Sequence, residues 1–522
     1  MKVSNKAVIV VRALGIVSLA SAILGCSSNA PPTRETAGSG NGGSAGSPLT
    51  GGAAGINPTG SGAGTTAASG GGGGGAAGSP ASGGIGNDQG GLGGQGSLEG
   101  GAGGAGAGGG GGALGSAGRA AGGAAGAPVG AGGQGGSAGA TQEPSKPGPP
   151  MGWASWNTFA AKINYGVIKG QADAMVSSGL KAAGYQYVNI DEGWWQGTRD
   201  SMGNITIDQA DWPGGMKAIA DYIHGLGLKA GIYTDAGKDG CGYYFPTGRP
   251  AAPGSGSEGH YDQDFLAFSQ WGFDFVKVDW CGGDKEKLDA PTAYKGIASA
   301  IDKATKQTGR PMVLSVCNWG NQSPWNWAPA LSAMWRTSGD IIYFGENADM
   351  SRVLDNFDSA QHPAAQSPGH YNDPDMLIVG MSGFSGPQNR THFALWAISG
   401  APLLAGNNLA TMNADTKSVL TNSEVLAINQ DPLAKQGVRV SDAQGKQVYS
   451  KELSGNGRRA VLLLNRSTAA ASITVRFADI GVGATANVRN VWTAQDLGSQ
   501  STSYSATVAA QDSVLLLVTS TP

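Results

Sequence analysis

From residue 148 to about 436, short runs of apolar and β-branched residues alternate with longer stretches whose apolar positions recur at helical spacing. The short runs fall at 151–156, 185–191, 228–235, 273–279, 312–319, 334–340, 371–377 and 401–407, and amphipathic stretches fit between them, for instance over 168–183, 213–226 and 291–308. Strict alternation of this kind predicts a parallel sheet with crossover helices. Eight such units in about 290 residues have the size of a (β/α)8 TIM barrel. A doubly wound open sheet competes, but it carries a Gly-rich phosphate turn after its first strand, and Gly152-Trp153-Ala154-Ser155-Trp156-Asn157 is not one. After Val438 the runs become short and alternating, at 459–464, 471–477, 486–492 and 513–518, with Gly, Ser and Asn clusters between them. That predicts an antiparallel β-sandwich of about 85 residues, which either packs on the barrel or binds sugar.

The N-terminal third reads differently. Lys2, Lys6 and Arg12 surround an apolar stretch over 7–24 that is followed at once by small residues, the form of an export signal. A membrane span is the competing reading, but Arg12 interrupts the run. From Ser27 to about Gln142 the chain is almost wholly Gly, Ala and Ser, which cannot bury enough apolar surface to offset chain entropy, so a disordered tether is expected there. The Ile23-Leu24-Gly25-Cys26 ending resembles the lipobox of bacterial lipoproteins, which implies that Cys26 is an acylated lipid anchor; a plain secretory signal with an incidental cysteine is the alternative. The expected organisation is a signal over 1–25, a tether over 26–145, a barrel over 146–437 and a sandwich over 438–522. Such a protein is exported and held at the bacterial outer envelope or cell surface, touching the membrane only through Cys26.

A net charge of −3 and the lack of any Lys/Arg-rich run argue against nucleic acid as a partner. Beyond Cys26 only Cys241, Cys281 and Cys317 remain, enough for one bridge and a spare thiol. No pair among His224, His260, His362, His370 and His392 has the spacing of a helical zinc motif, so no metal site is expected.

Several predicted strands end in a polar or aromatic residue: Asp191, Asp235, Asp279, Trp319 and Asp340. In a TIM barrel the carboxyl ends of the strands carry the site. Glycoside hydrolysis needs two carboxyl groups flanking one anomeric carbon, so acids at strand ends are the candidates. The apolar strand over 275–279 delivers Asp279 to the rim with Lys277 two residues earlier on the same face. Lys277 either holds Asp279 ionised for nucleophilic attack or forms a buried structural pair with it.

Six blocks settle the class by resemblance. Met151-Gly152-Trp153, Tyr187-Val188-Asn189-Ile190-Asp191-Glu192-Gly193-Trp194, Gly231-Ile232-Tyr233, Lys277-Val278-Asp279, Tyr371-Asn372-Asp373-Pro374-Asp375-Met376-Leu377 and Ala427-Ile428-Asn429-Gln430-Asp431-Pro432-Leu433 resemble, in order, glycoside hydrolase family 27, across essentially all of 148–437. The resemblance implies a barrel followed by a sandwich, no cofactor, and a retaining double displacement that frees terminal α-galactose from a galactosyl oligo- or polysaccharide. Carried over by position, Asp279 is the nucleophile, Asp340 the acid/base, and Arg336 holds the sugar 2-hydroxyl and that acid. Trp153, Asp191, Tyr233, Lys277 and Asp375 line the sugar pocket. Blander roles stand beside these: Trp153 as core packing, Tyr233 as donor to a backbone group, and Asp373 as a structural turn residue. The family's matching cysteines imply a Cys241–Cys281 disulfide, and with Ser332 near the place of its usual partner, Cys317 is expected to be a free thiol.

Two positions depart from the family. Glu192 stands where an aspartate is usual, beside the hydroxymethyl end of galactose, and resembles the family's β-L-arabinopyranosidases, whose sugar lacks C6. Asn318 replaces a common glutamate near the sugar 2-substituent, keeping hydrogen-bonding capacity without charge. The alternatives to an α-galactosidase are therefore a β-L-arabinopyranosidase on the same scaffold, a catalytically dead carbohydrate-binding surface protein, and a structural glycine-rich envelope protein. The last leaves the ordered remainder unexplained.

Overall fold

A computed structural model describes residues 148–521; the expected signal, Cys26 and the whole of the expected tether lie outside the described residues. Eight strands, β1 (Met151–Ala154), β2 (Tyr187–Asn189), β3 (Lys229–Asp235), β4 (Phe275–Asp279), β5 (Val313–Cys317), β6 (Met334–Arg336), β7 (Tyr371–Asp373) and β8 (Leu403–Ala405), pair in parallel in the order β7-β6-β5-β4-β3-β2-β1-β8. The ring is closed by Leu377, just past β7, which forms a parallel bridge with Ala405 of β8. Each expected strand is present. Most are shorter than the apolar run that announced them, because residues such as Asp191, Asp340 and Asp375 leave the ladder to point into the mouth. Where the barrel is tightest it demands glycine: a Cβ on Gly231 would come 1.9 Å from Asn189 Oδ1.

The crossover helices follow local chemistry. The helix Ala290–Thr308 starts where Asp289 accepts the Thr292 amide at 3.1 Å, has a proline in its first turn, and stops at Gly309 in the left-handed region at φ 75°. Its buried Tyr294, Ile297, Ala300, Ile301 and Ala304 form one stripe. The helix expected over 168–183 is instead Tyr165–Ser177: Asn164 caps its start earlier, and Gly179 and Gly184, both at positive φ, turn the chain back. Between β5 and β6 the crossover is two 3-10 turns, Pro324–Asn326 and Ala328–Ala330, each with a proline in its first turn.

The C-terminal domain has a six-stranded antiparallel sheet and a separate two-stranded pair. The expected runs correspond to β11 (Arg458–Asn465), β12 (Ala471–Arg476), β13 (Thr485–Asn490) and β16 (Asp512–Ser520). Pattern reading misses β9 (Val438–Ala443) and β14 (Gln495–Ser501), the edge strands, which are largely exposed and polar. It also misses β10 (Lys446–Glu452), whose buried positions include Gln447, Ser450 and Lys451, and β15 (Ser503–Val508). The helix Gly386–Ser399, opened by a Ser385/Gln388 capping box, is buried from Thr391 to Ser399 because one side meets the barrel and the other meets β10, β11 and β16. Polar pins cross the same boundary. Arg466 grips Asp358 at 2.6 and 2.7 Å, Arg489 grips Glu424 at 2.7 and 2.9 Å, and Thr391 donates to Asp512 at 3.0 Å.

Lys451 is the costly member of this boundary. It is fully buried on β10, and among the described residues its ammonium reaches only the Ala397 and Asn429 carbonyls, at 3.4 and 3.5 Å, in the last turns of Gly386–Ser399 and Ser423–Asn429. Burial pushes its pKa down to about 7, against the pull of Asp431. A lysine with a folded pKa below its unfolded one binds a proton more readily when unfolded, so its charge opposes folding most at and below pH 7, and that opposition fades as pH climbs toward the ordinary lysine value. Lys451→Met is therefore expected to flatten the rise of stability between about pH 7 and 10 relative to wild type. Thermal unfolding of both proteins across that range checks this, and parallel curves would contradict it.

Candidate active site

β4 presents Phe275, Lys277 and Asp279 on one face, by the two-residue period of a strand, and so carries a cation and a carboxylate up the barrel interior together. Lys277 does not serve Asp279 first. Its Nζ lies 2.9 and 3.2 Å from the two Asp191 carboxylate oxygens and 3.7 Å from Asp279 Oδ2. Burial works against the charge on Lys277, but Asp191, Asp279 and Asp340 hold its pKa well above the usual lysine value. On Asp279 the balance falls the other way. Burial raises its pKa, Lys277 opposes, and the nearby Asp340 and Asp191 add to the rise. Lys277 thus pulls Asp279 toward its ionised form from 3.7 Å while bonding first to Asp191, and the burial of Asp279 works against that pull.

A second cation organises the opposite wall. Arg336, at the end of β6, directs Nη2 to Asp340 Oδ1 at 3.1 Å, to Asp375 Oδ2 at 3.0 Å and to the Ser338 carbonyl at 3.1 Å. Asp340 is a third exposed, whereas Asp375 is buried, sits at φ 92°, and accepts the Ile341 amide at 2.8 Å. Burial pushes the Asp375 pKa up to about 7 against the pull of Arg336. Asp373 accepts the Asp375 amide at 2.9 Å, the structural role expected of it. Cys317 is a buried free thiol 3.7 Å from Arg336 Nη1.

Asp191, Tyr233, Lys277, Asp279, Arg336, Asp340 and Asp375 therefore converge at the carboxyl ends of the strands. Tyr233 lies under Lys277, 5.2 Å from ring centroid to Nζ, and its hydroxyl meets no hydrogen-bond partner among the described residues, so it does not donate to their backbone. Two residues sit less openly. Trp153 is fully buried, donates its indole N–H to the Asn407 carbonyl at 2.8 Å and packs edge-on to Phe159. Asn318 is fully buried too, its amide nitrogen donating to the Asn321 carbonyl at 2.5 Å while Oδ1 lacks a partner among the described residues. Inside the barrel a cavity of about 20 Å³, lined in part by Asn189, Asp191, Lys277, Arg336 and Asp373, is large enough for a single water.

The loops after β3 and β4 are locked together at the rim. Cys241 and Cys281 form a disulfide with Cα atoms 5.0 Å apart. Beside it, fully buried Asp235 accepts the Gly237, Gly282 and Cys281 amides at 2.7, 3.0 and 2.7 Å, fixing the turn immediately beyond Asp279. Burial raises the Asp235 pKa well above the ordinary range, Asp279 adds to the rise, and the three amides oppose it. The sequence marks Asp235 as a polar strand end, but only the fold reveals which amides it gathers. Glu192 joins the same assembly by accepting the Gly242 amide, a contact that needs glycine, since a Cβ there would lie 2.6 Å from Glu192 Oε1. Burial raises the Glu192 pKa to about 8, and neighbouring Asp279, Asp191 and Asp235 push the same way against the Gly242 amide.

A cluster of carboxylates at the carboxyl ends of the strands of a (β/α)8 barrel, followed by an antiparallel sandwich, is the arrangement that suits a glycoside hydrolase. The chain belongs to the α-galactosidase family and has that activity: residues 148–431 match the family described as alpha galactosidase A, and residues 443–518 match the alpha galactosidase C-terminal beta sandwich domain. It is 44% identical over 329 residues to alpha-galactosidase A of Cellvibrio japonicus, covering 61% of this chain and 76% of that one. The crystal structure of alpha-galactosidase I from Mortierella vinacea is similar with a TM-score of 0.64 and 32% identity, over 72% of this chain and 98% of that chain. A β-L-arabinopyranosidase of Geobacillus stearothermophilus is similar with a TM-score of 0.63 and 26% identity, over 71% and 96% of the two chains.

Because the disulfide clamps the turn beyond Asp279 while the barrel core lies elsewhere, its loss should be felt at the site first. Under mild reductant, α-galactoside turnover is expected to fall before the thermal midpoint moves. Simultaneous loss of both, followed by activity and circular dichroism, would show that the bridge supports the whole barrel instead.

Proposed function

We propose that the enzyme frees terminal α-D-galactose with retention, Asp279 acting as nucleophile and Asp340 as acid/base. In the first step the Asp279 carboxylate bonds to the anomeric carbon as the bond to the leaving oxygen breaks, and Asp340 gives that oxygen its proton. In the second, Asp340 takes a proton from water, which attacks the same carbon and releases Asp279. The observation that carries this reading is the separate cationic support of the two acids: Asp279 is buried beside Lys277, while Asp340 is part-exposed and held by Arg336. Asp191, Tyr233, Lys277 and Asp375 are suited to bind the sugar, the carboxylates and ammonium meeting its hydroxyls and the aromatic ring its C–H face. Trp153 and Asn318, both fully buried, would back that wall. The Ile23-Leu24-Gly25-Cys26 ending supports an exported enzyme tethered through acylated Cys26, with the barrel over 146–437 and the sandwich over 438–522.

Asp279→Asn is expected to abolish glycosyl-enzyme formation, whereas Asp340→Asn leaves the first step on activated aryl α-galactosides and stalls deglycosylation. Since burial raises the Asp279 pKa, the acid limb of kcat/KM should lie above the ordinary aspartate range. Proton NMR of the first-formed sugar decides the stereochemistry, and release of β-galactose from an α-galactoside would overturn the retaining assignment.

A second reading, β-L-arabinopyranosidase, rests on Glu192. Its carboxyl is buried against Gly242 and close enough to Asp279 and Asp191 to be raised by them, so its extra methylene occupies space beside the sugar site. Glu192→Asp should raise kcat/KM for an aryl α-galactoside relative to the aryl β-L-arabinopyranoside by roughly tenfold or more, the worth of one methylene of crowding. An unchanged ratio would mean that Glu192 does not face C6.

A further inference from the structure

Among the described residues, the aromatic side chains more than about a third exposed are Tyr243 (41%), Phe245 (56%), Tyr343 (58%) and Phe344 (40%). Singly scattered apolar residues on a surface call for no explanation, but these four occupy only two loops. One follows β3 and the other follows β6, both at the strand ends that bear the site. Tyr243 adjoins Gly242, whose amide Glu192 holds, and Tyr343 comes three residues after Asp340. Lys162, from the loop after β1, joins the two loops: its Nζ is 5.9 Å from the Phe344 ring centroid, and its Cε lies 2.5 Å from where a Cβ on Gly248 would stand. The aromatic loops thus belong to one rim.

The rings are backed by cations. Lys285 Nζ lies 5.5 Å from the Phe245 centroid, and Arg352 lies 4.9 Å from that of Tyr343 while paired with Glu346 at 3.0 Å. A cation on one face fixes the tilt of a ring and leaves the opposite face free. Rings so held, beside a sugar pocket, offer flat apolar faces to the C–H patches of further sugar rings. With Lys162 and Lys285 set against ring faces and Arg352 neutralised by Glu346, the rim presents aromatic surface more than charge.

We propose that Phe245 on one loop and Tyr343 with Phe344 on the other form acceptor platforms that stack on the leaving side of the substrate, so that this enzyme selects an α-galactosyl group carried on a neutral oligosaccharide chain over a small galactoside. The proposal rests on the galactosyl site lying at Asp279 and Asp340. Its test compares methyl α-galactoside, which has no sugar beyond the bond that breaks, with an oligosaccharide bearing one α-galactosyl group on four neutral hexoses, in wild type, Phe245→Ala/Phe344→Ala and Phe245→Tyr/Phe344→Tyr. The alanine pair is expected to lower kcat/KM for the oligosaccharide about tenfold, chiefly through KM, with methyl galactoside changed less than about twofold and the tyrosine pair close to wild type. An unchanged ratio in the alanine pair overturns the platforms. Equal losses on both substrates overturn them too, since the rings would then merely support the pocket. If wild type turned over neither substrate, the galactosyl site itself would be wrong, and the platforms would fall with it.

Discussion

The mouth of this barrel depends on holding two cations where little water can reach them. Lys277 and Arg336 are surrounded by Asp191, Asp279, Asp340, Asp373 and Asp375, and most of these acids are buried. Dehydrated carboxylates that close to one another cannot all stay ionised without opposite charge among them. The cations do not cancel the cost: burial still raises the pKa of Asp279, Asp373 and Asp375. The residual tension is useful, because a sugar whose anomeric carbon gains positive character in the transition state is met by negative charge already in place. Removing either cation would leave acids uncompensated, a change that typically costs about 3–5 kcal/mol for a buried pair.

Much of this was legible in the chain because the chemistry rides on regular structure. Asp279 and Lys277 share a strand face, and Arg336 and Asp340 are four residues apart at the end of another strand, so pattern and family resemblance together located them. What stayed hidden depends on residues far apart in sequence. Nothing in the Lys277-Val278-Asp279 run says that the lysine turns first to Asp191, 86 residues away. Nor does the helical pattern over 291–308 hint that the next crossover abandons α-helix for 3-10 turns. The edge strands β9 and β14 escaped for a simpler reason: they are largely exposed, and each packs a single apolar side chain, Val440 or Leu497, against the sandwich core, too little to make an alternation that stands out.

Precision at the rim comes from loops made rigid by several independent ties. Asp235 collects three amides, Glu192 takes a fourth, and the disulfide joins the two loops they come from. Each amide left unpaired in such a buried place would cost about 1–3 kcal/mol, so the loops have little freedom to depart. Asp235 is thus a positioning residue: it need not touch sugar to decide where the chain goes immediately after Asp279. The same loop then runs outward to Tyr243 and Phe245, so the geometry that fixes the inner pocket also fixes the tilt of the outer rings.

The sandwich reaches the chemistry through a similar sequence of contacts. Its strands pack on the helix Gly386–Ser399, which is buried on the barrel side as well. From that helix Trp396 donates its indole N–H to the Asp375 carbonyl at 2.8 Å. Asp375 occupies a left-handed conformation that an aspartate adopts only when its surroundings hold it there. In that conformation its carboxylate reaches both the Ile341 amide and Arg336, and Arg336 in turn fixes Asp340. A domain with no catalytic group of its own therefore braces the strained residue on which the acid/base depends. A barrel stripped of its sandwich would expose the helix and loosen Trp396, and the first group to lose its bearing would be Asp340, well before β4 let go of Asp279.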